Sequence, residues 1–138
     1  MKLTAIAISF ALLSAPAFAQ DRTPAPEGAR AYIISPKDGA TVSSPVTVIF
    51  GLEGMGVAPA GTEKEKTGHH HLIIDVDLPS LNEPVPSDEN HRHFGGGQTQ
   101  VNVELTSGSH TLQLIMGDHN HIPHDPPVAS EKISIIVK

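Results

Sequence analysis

Beyond Ala19 no stretch of this chain keeps an apolar stripe at helical spacing, and 12 prolines and 12 glycines punctuate the sequence at short intervals. What survives between the interruptions is alternation. Val46, Val48, Phe50 and Leu52 recur at every second position, as do Leu72, Ile74 and Val76, then Val101, Val103 and Leu105, then Leu112, Leu114 and Met116, and last Ile133, Ile135 and Val137. Period two places one side chain in two on a buried face, the signature of a strand. Tyr32–Ile34 reads as an earlier strand, and Gly108 within Thr106–Ser109 reads as a hairpin turn leading into Leu112. The pattern predicts an all-β fold, a single immunoglobulin-like antiparallel β-sandwich of about seven strands over residues 30–138.

The first 19 residues have another character. Lys2, an apolar run from Leu3 to Leu13 and the small-residue tripeptide Ala17-Phe18-Ala19 follow the order of a secretory signal peptide. The run is shorter than the roughly 20 residues a spanning helix needs. Residues 20–29, with Pro24, Pro26 and Gly28 among charges, read as a flexible leader. A periplasmic or secreted protein without a membrane span is therefore expected. The chain has no cysteine, so no disulfide can staple it, and core packing or a bound ion must supply its stability. A formal net charge of −6 argues against a nucleic-acid partner, which calls for a basic stripe.

Motifs for common chemistries fail on inspection. Gly56 and Gly61 have the spacing of a phosphate loop, but Thr62-Glu63 stands where Lys followed by Ser or Thr is required. No Gly-x-Ser-x-Gly turn accompanies His93-Phe94-Gly95-Gly96-Gly97, and Asp118-x-Asn120 lacks the rest of a calcium loop. A non-enzymatic role is the expectation, and a metal-dependent enzyme would require a ligand position left open to water.

The 9 histidines are the positive signal. They group as His69-His70-His71, His91-x-His93, His110, and His119-x-His121 followed by His124. On a strand, residues two apart share a face at about 6.6 Å, so His69 and His71 can converge on one ion while His70 joins Leu72 and Ile74 on the core side. The other groups lie in loops that a sandwich can bring to the same rim. Imidazole without thiolate suits Cu(II) or Zn(II), and outside the cytoplasm the affinity order favours copper. Met55 could add sulfur, whereas Met116 is in phase with the core. Asp75, Asp118 and Asp125 are candidate partners for the second ring nitrogen of a ligand. His110, directly after a turn, is expected to tie that turn.

The segments Gly68-His-His-His-Leu72, His93-Phe-Gly-Gly-Gly-Gln-Thr99, Gly108-Ser-His-Thr-Leu-Gln-Leu114 and Asn120-His-Ile-Pro-His-Asp-Pro-Pro-Val128 resemble the exported bacterial family known as domain of unknown function 4399. The resemblance runs from about Tyr32 to the C-terminus and implies a shared fold with no assigned reaction. It also gives weight to His69, His71, His93, His121 and His124 over His91 and His119. The expected function is metal sequestration or delivery through those five residues, with Cu(II) ahead of Zn(II) and another periplasmic protein as a possible recipient. The alternative is a non-enzymatic envelope interaction module whose histidines are structural or pH-sensing.

Overall fold

The structure, a computed structural model, describes residues 21–138; the expected signal peptide lies outside the described residues. The six segments read as strands become β1 (Arg30–Ser35), β3 (Val46–Glu53), β5 (Thr67–Ile74), β7 (Gln100–Val103), β8 (Gly108–Gly117) and β9 (Ile133–Val137), and three short strands join them, β2 (Thr41–Val42), β4 (Gly56–Val57) and β6 (His91–His93). No helix occurs among the described residues, so none there is long and apolar enough to cross a membrane.

The strands form two sheets, giving an all-β sandwich. The smaller has the order β1-β3-β7, and the larger runs β2-β9-β8-β5-β4 with β6 also paired to β5. Pairing is antiparallel except for β2 with β9 and β4 with β5. Between the sheets, Val46, Val48 and Phe50 of β3 meet Leu72 and Ile74 of β5, Leu112, Leu114 and Met116 of β8, and Ile135 and Val137 of β9. Each fully buried aliphatic side chain contributes roughly 1.5–3 kcal/mol, which is why the alternation dictates which face turns inward.

The expected hairpin at Thr106–Ser109 is not one. β7 pairs with β3 in the small sheet, whereas β8 lies between β5 and β9 in the large sheet. Residues 104–107 therefore cross between layers, a gap of about 10 Å that four extended residues span.

Two features bear on function. Every residue from Gly68 to Ile74 is buried, on both faces of β5. A second small cluster explains this, for Ile73 and Ile115 on the outer face are covered by Val85, with Leu78 and Leu81 alongside. The long loop after β5 is thus a cover for the central strands. Within residues 20–29, expected to be a flexible leader, Arg22–Ala25 are laid along the loop after β8. Ala25 N–H donates to the Asp125 carbonyl at 2.8 Å and Asp125 N–H donates to the Thr23 carbonyl at 2.9 Å. Composition predicts little apolar burial here, but it does not count these backbone bonds.

Candidate metal centre

The outer face of β5 carries His69 and His71, and the inner face carries His70, as period two requires. Register brings in the next residue: His71 is paired with His93 on β6 and with Ile115 on β8. Strand β6 is held by its neighbour Phe94, which is buried edge-on against Phe50 at 4.9 Å and whose N–H donates to the His70 carbonyl at 3.1 Å. With Phe94 inward, alternation turns His93 outward over β5.

His121 comes from the turn after β8. Asp118 builds that turn: its Oδ1 accepts from the N–H groups of Asn120 at 2.9 Å and Ile122 at 3.0 Å, and its carbonyl accepts from His121 N–H at 2.9 Å. Burial opposes the charge of Asp118, but the Thr23 hydroxyl and the Ile122 and Asn120 N–H groups outweigh it and hold the carboxyl below its usual range. His121 itself has φ of 67°, a left-handed conformation that costs a non-glycine residue about 1–2 kcal/mol.

These segments bring four imidazoles together. His69 Nε2 lies 3.1 Å from His71 Nε2 and 3.1 Å from His121 Nδ1. The His93 ring centroid is 5.0 Å from that of His69, 5.1 Å from His71 and 4.8 Å from His121. One ligand nitrogen from each of His69, His71, His93 and His121 falls within 4.8 Å of all the others. Nitrogens bonded to one ion at about 2.0–2.1 Å can stand at most about 4.2 Å apart, so a small closing movement completes the set.

The electrostatics suit a cation. Burial, then the neighbouring His121 and His93, push His69 down to about 4, and burial with His69 and His93 pushes His71 to about 3. Burial and His121 also lower His93. At neutral pH these three rings keep their lone pairs. In the metal-free cluster His69 Nε2, with one proton or one lone pair, can complete a hydrogen bond to only one of its two neighbours, and His71 Nδ1 has no partner. A cation converts those shared contacts into bonds to one centre.

Two glycines make the room. A Cβ on Gly117 would stand 2.9 Å from His71 Nε2 and 3.2 Å from His121 Cα, and one on Gly95 would stand 2.4 Å from His93 Cε1. Ala60 N–H donates to the Gly95 carbonyl at 2.8 Å and Gly61 N–H donates to the His119 carbonyl at 3.0 Å, so the loop after β4 ties the His93 and His121 segments together. None of these supports is visible as a ligand motif. Only the glycines among histidines hint at them.

The remaining histidines lie outside the four. His124 is buried with both ring nitrogens unpartnered, and its Cε1 is 2.9 Å from where a Cβ of Gly68 would stand. His70 is buried against Phe50 at 5.1 Å, and burial lowers it to about 4. His91 pairs with Asp88 at 2.8 Å and His119 lies 3.0 Å from Asn120. His110 ties its turn as expected, 2.7 Å from Asp75 and 2.8 Å from the Thr106 carbonyl. Asp75 and Asp125 are thereby occupied elsewhere, Asp125 with Arg22 at 3.4 Å, and Asp118 shapes the His121 turn. Met116 belongs to the core and Met55 packs against it.

The sequence profile of a family described as domain of unknown function (DUF4399) matches residues 48–138. No curated protein and no solved structure matches the chain.

Proposed function

We propose a function on the premise that the chain belongs to the DUF4399 family, whose description names no reaction: it binds one transition-metal ion, copper ahead of zinc, for sequestration or delivery outside the cytoplasm. The observation that carries this reading is the meeting of His69, His71, His93 and His121 from three separate segments. Four imidazoles without thiolate or carboxylate form a donor set for borderline divalent ions, and Cu(II) stands highest in their affinity order. The signal-peptide pattern of residues 1–19 supports export, where copper is encountered.

Delivery follows from the asymmetry of the group. His69 and His71 are buried, whereas His93 is exposed and His121 half-buried, so an ion held here faces outward on one side. A recipient's ligands can approach that side and replace His93 and His121 in turn. Titration of the purified protein with Cu(II), followed by spin resonance, should give a nitrogen-coordinated signal saturating at one equivalent. Replacing His69 and His71 together with alanine should abolish it. Absence of a nitrogen-coordinated signal at stoichiometric metal overturns the reading.

A further inference from the structure

Three of the four imidazoles are placed by a sheet: His69 and His71 by β5, His93 by its pairing with β5. His121 is not. It sits in a turn, in a left-handed conformation, and its position depends on whatever holds the backbone on either side. Asp118 shapes the turn from within. From outside, Gly61 N–H donates to the His119 carbonyl at 3.0 Å and Val85 N–H to the His121 carbonyl at 2.9 Å, and the segment just before β1 adds side-chain contacts on both sides of His121.

Thr23 Oγ1 donates to Asp118 Oδ2 at 2.7 Å, gripping the turn ahead of His121. Arg22 grips it beyond His121, with Nε donating to the Pro123 carbonyl at 3.0 Å, Nη2 to the His124 carbonyl, and Nη1 lying 3.4 Å from Asp125 Oδ1. The backbones of Thr23 and Ala25 add two hydrogen bonds with Asp125. The Arg22 side chain is only 14% exposed, so a charged group has been drawn into the protein to reach main-chain carbonyls. Lysine, with a single ammonium, has no comparable fork.

We propose that Arg22–Ala25 is a strap that sets the metal affinity of the four-histidine centre by holding the His121 turn over β5, an inference that rests on the metal reading above. Arg22 and Thr23 are positioning residues. Neither touches the ion, and both act through His121. Because coupling between two binding events is reciprocal, an ion that holds His121 also holds the strap down. Metal occupancy is thereby reported at the Arg22–Thr23 bond, which trypsin can cut only when the strap lifts.

The test uses Arg22→Ala, Thr23→Val and Thr23→Ser in the otherwise intact protein, each alone and combined with His121→Ala. Cu(II) affinity is read by competition with a chelator, and the melting temperature of the metal-free protein reports folding. Arg22→Ala and Thr23→Val should weaken Cu(II) binding about 10–100-fold, the usual cost of losing a residue that orients a ligand. Thr23→Ser should restore it. In the His121→Ala background the same substitutions should add no further loss. Added Cu(II) should slow tryptic cleavage after Arg22 in the unsubstituted protein. Unchanged affinity in Thr23→Val, or an equal loss with and without His121, overturns the strap while leaving the metal site standing. Should Arg22→Ala fail to fold, the Thr23→Val and Thr23→Ser pair decides. No Cu(II) binding by the unsubstituted protein overturns both.

Discussion

His70 and His71 are adjacent, equally buried and chemically the same, yet their surroundings demand opposite things of them. His71 faces three other imidazoles, whereas His70 faces Phe50 with both ring nitrogens unpartnered. An unpaired buried polar group costs about 1–3 kcal/mol, while an apolar replacement of similar volume removes that cost. His70→Leu is therefore expected to raise the stability of the metal-free protein by about 1 kcal/mol and its melting temperature by a few degrees. Cu(II) affinity should not change, because the outer face of β5 is untouched. A lower melting temperature would mean that the His70 nitrogens have partners after all. This division was legible in the sequence: Leu72 and Ile74 set the phase of the strand, and counting back by two places His70 inward and His69 and His71 outward. The loop histidines have no such phase, so His124 could not be told from His121 by counting.

At the scale of elements, what decides the centre is how β8 ends and how β6 is left. The expected hairpin before β8 failed because alternation identifies a strand but not the sheet it joins; the turn at Gly108 serves a crossing between layers equally well. The same blindness hid Gly117 and Gly95, whose roles exist only across the β5–β8 and β5–β6 pairings. They differ in what a side chain would strike. At Gly117 the added carbon meets buried His71 and the backbone of His121, neither of which can move freely. Gly117→Ala should destabilise the metal-free fold by about 1–3 kcal/mol, the usual cost of overpacking, and weaken metal binding as well. At Gly95 the carbon meets the tip of exposed His93, which can swing away. Gly95→Ala should leave the melting temperature of the metal-free protein nearly unchanged and weaken metal binding alone. Paired melting and affinity measurements on the two variants check the split, and a Gly95→Ala protein with unaltered affinity would remove His93 from the ligand set.

For the molecule as a whole, the centre makes stability depend on pH in a direction that follows from its burial. Folding lowers His69 to about 4, His70 to about 4 and His71 to about 3, all from 6.5 in the unfolded chain. Below 6.5 the unfolded chain therefore takes up protons at three sites that the folded protein keeps neutral. Their contribution is whole above 6.5 and drains away as pH falls through 6.5 toward 4, each proton weighing at most about 1.4 kcal/mol per pH unit. His110 pulls the other way, raised by its bond to Asp75, so its contribution is whole below 6.5 and fades as pH rises, but it is one group against four, since His93 is lowered as well. A bound ion strengthens the acid dependence, because protons and metal compete for the same nitrogens. At neutral pH, metal at 100 times its dissociation constant adds about 2.7 kcal/mol to the folded state. That increment should shrink with acid as the apparent dissociation constant rises. Melting curves of the metal-free and Cu(II)-loaded protein from neutral pH down to about 4.5 should thus fall together and converge, the loaded curve starting higher and dropping faster. A metal-free curve that stays flat across this range would mean the three imidazoles are not held neutral by burial, and a bound ion would then compete with protons from just below neutral pH.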